Sequence, residues 1–513
     1  MKTINCLALL FLVGFTTYAQ ENLHYTINLN DRSDDTFKVL LTVNNLNAED
    51  SIYQFASTAP GTYQIEDIGR FVKNFKAFDE NENELTSSKK SVNQYSISEP
   101  QRVKTIRYEV FETWDTPVKQ HPIYKMAGSS LEDDHALINA HCMIGFPMTR
   151  QAESISLELL YPNNWTVGTA LKIDNDGFFI ADTYDHLIDS PILMGNLTKE
   201  SVLIGETTIE VYTYSKTGLI KSEMLLEDLN ELLLAAEKFL NGYPVDRYTF
   251  LFHFEDETVG AWEHSYSSEY VFQESDYTDE YAESILSIVA HEFFHIVTPL
   301  NIHSEIIEQF NFTNPTPSIH LWLYEGVTEW ASDIMQLRGN LLSLEGLLAE
   351  YRQKLLYNDY FDPTYSLQDL ALTSFTPKGA QQYGNIYQKG AIIAALLDIR
   401  LLELSKGKQG LRELILELSN KYGKEKAFSE KNFFSEIVQM THPEIREFID
   451  KYIINADPLP IQEYFDKIGI SYTNSKKITR KNGKEETVKH HFEVNNEATK
   501  KQKKLREQWQ SNS

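Results

Sequence analysis

Between residues 23 and 205 apolar positions recur at every second residue or in short runs, and turn signals break them up. Tyr25-Thr26-Ile27-Asn28-Leu29, Lys38-Val39-Leu40-Leu41-Thr42-Val43 and Ile155-Ser156-Leu157-Glu158-Leu159 have the period of half-buried strands. Pro60-Gly61, Asn163-Asn164 and Asn175-Asp176-Gly177 supply the turns. No long amphipathic helix is needed, so this stretch predicts an antiparallel β-sandwich. Near residue 222 the period changes. Glu223 to Leu240 predicts a helix whose apolar face is Leu225, Leu226, Leu229, Leu232, Leu233 and Leu234. A strand follows over Tyr248 to Phe254, then a helix over Tyr281 to Val297 that Pro299 stops. Helical patterning continues to about residue 455, as in Leu342 to Leu356, Gly390 to Leu404 and Leu411 to Lys421. From Lys476 onward the chain is polar and basic, which predicts a solvated or frayed extension. The fold class is therefore α+β and multidomain: a β-sandwich over 20–210, a second unit over 211–472 with a mostly helical C-terminal lobe, and a basic tail over 473–513.

A length of 513 residues agrees, since it exceeds what one hydrophobic core organises. The net charge of −27 argues against nucleic acid as a partner, because phosphates would be repelled. Met1-Lys2, the apolar run Leu7 to Phe15 and Thr17-Tyr18-Ala19 have the order of a cleaved signal peptide over 1–19. Cys6 lies at the front of that run and not just behind it, which disfavours a lipid anchor. No later stretch approaches the roughly 18 to 20 apolar residues of a membrane span. The expectation is an exported protein, periplasmic or secreted. Cys6 and Cys142 are the two cysteines, and Cys6 leaves with the leader, so no internal disulfide and no thiolate metal site can form.

The candidate chemistry lies in the helix over 281–297. Ile288-Val289-Ala290-His291-Glu292-Phe293-Phe294-His295-Ile296 holds His-Glu-x-x-His among apolar residues. The i, i+4 spacing puts both imidazoles on one helical face, aimed at a single cation. Zinc suits imidazole nitrogens, and a catalytic site takes three protein ligands. Glu292 is placed beside them to take a proton from the attacking water. Burying these three polar groups without a partner would cost about 2–7 kcal/mol each. The third ligand is read as Glu325, in Leu321-Trp322-Leu323-Tyr324-Glu325-Gly326-Val327-Thr328-Glu329-Trp330, where apolar neighbours carry it inward. Glu305 and Glu308 are weaker alternatives in a polar stretch. Glu329, one turn on, can orient a ligand histidine, and Asp333 competes for that task.

Five stretches resemble the glycyl aminopeptidase family of zinc metallopeptidases, which uses two His and one Glu. They are Ala59-Pro60-Gly61-Thr62-Tyr63, Val259-Gly260-Ala261-Trp262-Glu263-His264, the His-Glu-x-x-His helix, Tyr324-Glu325-Gly326-Val327-Thr328 and Ile386-Tyr387-Gln388-Lys389-Gly390. The resemblance implies a β-rich N-terminal domain on a thermolysin-like catalytic domain. It implies that Glu263, with Gly260 and Ala261, forms an edge-strand motif holding the free α-amino group of a peptide by a charge-assisted bond. It also implies that Tyr387 donates to the developing oxyanion, with Tyr383 one turn earlier as the alternative. Lys389 and Asp398 are read as structural. The segment Ile296 to His303 lacks the aromatic and basic residues that members carry after the second His, which bears on the substrate pocket and not on the metal. Members often end in a PDZ-type domain, and too few residues follow Tyr472 for one here.

The combined reading is a zinc aminopeptidase acting on peptides. An endopeptidase of the same chemistry is the alternative, and a catalytically silent peptide-binding protein with this fold stands behind it. A purely structural β-sandwich leaves the His-Glu-x-x-His helix unexplained.

Overall fold

The computed structural model describes residues 23–256, 260–424, 426–479 and 485–511. The expected leader over 1–19 and Val259 lie outside them. The N-terminal unit holds an eight-stranded sheet and two four-stranded sheets. Their inner faces enclose one apolar core that includes Tyr25, Tyr53, Phe55, Tyr108, Phe146 and Tyr184. The alternation in Leu23–Asn28 is read directly: Leu23, Tyr25 and Ile27 are buried while the residues between are half-buried. The sandwich is not wholly antiparallel. Leu23–Asn28 lies parallel to Ile155–Leu160 in the large sheet. A period-two pattern is the same in either direction, so it cannot report strand polarity.

The second unit begins earlier than residue 211. Thr198–Ile204 and Thr207–Ser215 form a hairpin that joins a five-stranded sheet with Arg247–Glu255, Ser267–Gln273 and Gly260–His264, in that spatial order. The boundary therefore falls near residue 197. A hairpin's alternation says nothing about which sheet it enters, and only the pairing with Arg247–Glu255 settles that. The three central strands are parallel and the two outer ones antiparallel. Helix α1 (Ser222–Leu240) makes the crossover between the first parallel pair, as parallel strands require. Its face Leu225, Leu229, Leu232 and Leu233 is buried, but Leu234 is exposed, falling off a 3.6-residue stripe.

Helix α2 (Asp279–Phe294) starts at Thr278, whose side chain accepts from the Tyr281 amide. It ends at Phe294 and not at Val297, since Pro299 has no N–H for the His295 carbonyl and would clash with it. Next in the helical lobe come α3 (Thr328–Arg338), α4 (Leu344–Asn358) and α5 (Asn385–Leu404). Helix α5 starts five residues before the expected Gly390 and is buried along most of its length, so it runs through the lobe as a central rod.

The expected frayed tail is a folded element. Ile470–Thr479 and Glu485–Val494 form a hairpin, and the helix Lys500–Gln510 follows with Leu505 and Trp509 buried. The lysines hid the amphipathicity: its two apolar residues sit four apart, on one helical face, and Trp509 brings its carbonyl to Arg338 Nε at 3.0 Å.

The two units share an apolar seam. Leu137 and Leu193 of the N-terminal unit pack with Tyr212, Tyr214, Leu251 and Val271 of the second sheet. Trp262 of the second unit is buried in the N-terminal core.

Candidate metal centre

Helix α2 and the residue capping its end bring His291 and His295 to one point, with Nε2 atoms 3.2 Å apart. Glu325 Oε2 lies 3.6 Å from each of them. A tetrahedral ion with bonds of about 2.0–2.2 Å needs ligand atoms about 3.3–3.6 Å apart, so the spacing fits. The remaining ring nitrogens are already used, which fixes the orientation of both rings. His291 Nδ1 meets Glu329 Oε2 at 2.6 Å, and His295 Nδ1 meets the Thr298 carbonyl at 3.0 Å. Both Nε2 atoms are thus left facing Glu325, as metal ligands are held by their outer partners.

Glu325 arrives through an unusual backbone. Trp322–Val327 is a π-helical turn leading into α3, and all six residues are buried. Such turns are frequent at functional sites. The turn can press against α5 because Gly326 and Gly390 face each other: a Cβ on Gly326 would lie 2.8 Å from Gly390 Cα, and one on Gly390 2.7 Å from Gly326 Cα. The Tyr-Glu-Gly and Tyr-Gln-Lys-Gly stretches are two sides of one crossing. That crossing sets the Tyr387 ring 5.4 Å from the His291 ring. Tyr383 packs instead on Tyr63 at 5.0 Å and on Tyr387 at 5.9 Å.

Glu329 and Asp333 do not compete. Lys354 of α4, itself buried, joins them, with Nζ 2.5 Å from Glu329 Oε1 and 3.2 Å from Asp333 Oδ2. Burial disfavours the Glu329 charge, but Lys354 and His291 hold its carboxyl well below the usual range. Lys354 and the Thr298 carbonyl were not singled out in the sequence. A lysine inside a helix and a backbone oxygen carry no motif.

Glu292 is half-buried beside this centre, its Oε2 4.0 Å from His295 Nε2. Burial, opposed by His291 and reinforced by Glu325 and Glu329, pushes its carboxyl up to about 7. Such a group both takes and returns a proton near neutral pH. Glu263 stands on Gly260–His264, the outermost strand of the five-stranded sheet. Burial and the facing Glu325 and Glu292 carboxylates push its carboxyl well above the usual range. An incoming cation would relieve that repulsion. Gly260 and Ala261 pair with Val271 and Tyr270 on the inner side of that strand.

The loop at 59–63 reaches this strand from the N-terminal unit. Trp262 Nε1 donates to the Pro60 carbonyl at 3.1 Å. Gly61 has φ +80°, and a Cβ there would sit 2.8 Å from Glu263 Oε1. Tyr63, at φ 49°, brings its ring into the tyrosine group and was not assigned a role from sequence. A non-glycine residue in the left-handed region marks a position held by its surroundings.

The weaker candidates go elsewhere. Glu305 Oε2 accepts from the Glu430 amide at 3.0 Å and Glu308 Oε1 from the Ala427 amide at 3.3 Å. Lys389 Nζ donates to the Tyr365 carbonyl, and Asp398 pairs with Arg338 at 3.1 Å and caps the Leu411 amide.

His291, His295 and Glu325 form a donor group that could hold a metal ion, and the family match below makes the chain a metallopeptidase. Comparison with known proteins gives the family. The Peptidase M61 N-terminal domain model matches residues 24–196 and the M61 glycyl aminopeptidase model matches residues 284–393, together more than half of the chain. The chain belongs to the M61 glycyl aminopeptidase family. Among solved structures it is similar to an aminopeptidase N family protein from Idiomarina loihiensis, with a TM-score of 0.78 and 21% identity over 90% of this chain and 80% of that one. An M1 zinc metallopeptidase from Deinococcus radiodurans, solved as a mutant bound to a Tyr-Ser-Ala substrate, is similar at TM-score 0.50 and 11% identity, covering 86% and 95%. Aminopeptidase A from Legionella pneumophila, in complex with aspartic acid, is similar at 0.52 and 16%, covering 84% of this chain and 49% of that one. At these identities the likeness is one of fold. No curated protein sequence matches.

Proposed function

We propose that the protein is a zinc aminopeptidase that removes N-terminal residues, small ones such as Gly or Ala among them, from peptides. The observation that carries the reading is the position of Glu263: an inward carboxylate on an edge strand, facing the His291, His295 and Glu325 centre. The donor set of two imidazoles and a carboxylate, at tetrahedral spacing, fits zinc. Bound there, zinc supplies Lewis acidity to the scissile carbonyl and acidifies water.

The chain's own residues do the rest. Glu263 accepts hydrogen bonds from the substrate ammonium and so sets how far the peptide enters, leaving one residue between it and the scissile bond. The outer edge of Gly260–His264 offers backbone groups to an extended peptide, in the manner of an added strand. Glu292 takes the proton of the attacking water on its carboxylate and returns it to the leaving amine. The Tyr387 hydroxyl donates to the oxyanion as charge develops. Glu329, held by Lys354, keeps the His291 ring turned toward the centre.

An assay on aminoacyl-anilides and N-acetylated peptides, with and without a chelator, tests the reading. Cleavage of the free-amine substrates alone, abolished by chelation and restored by zinc, is the expected result. Chelator-insensitive cleavage overturns the metal chemistry, and equal cleavage of blocked peptides gives the endopeptidase. For export, the order of basic, apolar and small residues in 1–19 supports cleavage before Gln20, and N-terminal sequencing of the mature protein checks it. Among the described residues no helix is long and apolar enough to cross a membrane.

A further inference from the structure

A second cluster of metal-type donors lies in the seam between the two units, on elements the peptidase centre does not use. His135 opens the strand His135–Ile138 of an N-terminal four-stranded sheet, while His253 and Glu255 end the central strand Arg247–Glu255 of the second sheet. One nitrogen from each imidazole and one Glu255 oxygen lie within 4.8 Å of one another. His135 is 1% exposed and His253 0% exposed. His135 Nε2 and both ring nitrogens of His253 have no hydrogen-bond partner among the described residues. Buried polar atoms are nearly always satisfied, and an ion here would take His135 Nε2 and one of the two His253 nitrogens.

From this geometry we propose that His135, His253 and Glu255 bind a divalent transition-metal ion of the zinc class, which clamps the N-terminal unit to the second sheet. The outer partners suit that role. Asp134 Oδ1 holds His135 Nδ1 at 2.8 Å, which turns Nε2 toward the cluster, the carboxylate–histidine–metal arrangement. Lys216 Nζ takes Glu255 Oε2 at 2.9 Å and leaves Oε1 facing His135 Nε2 at 3.9 Å. A tetrahedral ion asks for about 3.3–3.6 Å between ligand atoms, so binding draws the carboxylate inward. The Glu255 side chain can make that move, being 12% exposed and so the cluster's outlet to solvent. Two imidazoles and one carboxylate select zinc-class ions over magnesium or calcium, which take oxygen ligands. His135 stacks on Tyr214, ring centroids 3.8 Å apart, and His253 lies tilted against Trp114 at 4.8 Å, which holds both rings in the seam.

The proposal is independent of the peptidase reading, and its test keeps them apart. The full-length His291→Ala/His295→Ala double variant is loaded with zinc, desalted and analysed for metal, and its cobalt(II) form is read by visible absorption. The expected result is one ion per chain, with a tetrahedral cobalt spectrum. Adding His253→Gln should remove the ion, and adding Glu255→Gln, which keeps the side-chain shape, should weaken binding at least tenfold. Zinc should raise the melting temperature of the double variant but not of its His253→Gln derivative. Circular dichroism follows folding, and should His253→Gln unfold the chain, Glu255→Gln gives the answer alone. A double variant that retains no zinc overturns the proposal, as does a retained ion that neither change disturbs. Two retained ions, one of them sensitive to His253→Gln, would support this site while overturning the assignment of the first.

Discussion

At the scale of single residues the proposed mechanism divides the centre into groups that hold a metal and groups that act beside it, and substitutions should separate them. Glu292→Gln keeps shape and leaves His291, His295 and Glu325 in place. It should retain the metal while kcat falls by about 10² to 10⁴, the worth of a positioned base. Metal content and rate measured on one preparation check both halves. Glu325→Ala removes a ligand, so zinc affinity itself should fall, read by competition with a chelator. Lys354→Met leaves the Glu329 and Asp333 carboxylates buried without their cation. Breaking a buried pair in this way costs about 3–5 kcal/mol. Slackened hold on His291 should add a 10- to 100-fold loss of metal affinity. Denaturant titration and metal competition read the two effects separately. The His291, Glu292 and His295 cluster was legible because i, i+4 spacing is local. Lys354 was not, because only the fold brings α4 to α3.

At the scale of elements the site depends on one helix crossing. Gly326 and Gly390 let the π-helical turn and α5 touch backbone to backbone, and that contact positions Glu325 and Tyr387 together. Gly390→Ala must push the two apart. Overpacking of this kind costs about 1–3 kcal/mol. Because the displaced element carries a ligand, metal affinity should fall along with the melting temperature. A Gly→Ala change that left both intact would show that the crossing has slack. The sequence showed Gly326 and Gly390 as parts of two motifs 64 residues apart, but not that the motifs meet. Helix limits behaved similarly: Leu411–Lys421 matched its expected span, while α2 ended early and α5 began early, at places decided by Pro299 and by tertiary packing. Strand polarity and the membership of the 198–215 hairpin were illegible for a related reason, since alternation records a buried face and not a partner.

At the scale of the whole molecule, the basic C-terminal stretch and the N-terminal unit both serve the catalytic lobe. Trp509 is fully buried near Arg338 and Asp398, so Trp509→Ala should cost about 3–5 kcal/mol in unfolding free energy without changing the substrate preference of the folded enzyme. Composition concealed this, because two apolar residues among many lysines read as solvent-exposed. The N-terminal unit reaches the edge strand of the second sheet: Gly61 and Pro60 press on Trp262 and Glu263. On the proposed aminopeptidase reading, the place that takes a peptide's N-terminus is therefore built by both units together. The most direct test compares kcat/KM for a free-amine peptide and its N-acetylated form in the wild type and in Glu263→Ala. A charge-assisted bond of about 1.5–3 kcal/mol is at stake, or about one to two decades in kcat/KM. The expected result is that the wild type strongly prefers the free amine, and that Glu263→Ala loses those decades on it while barely changing the acetylated peptide. Equal cleavage of both peptides by the wild type, or an equal fractional loss on both in Glu263→Ala, would contradict the account.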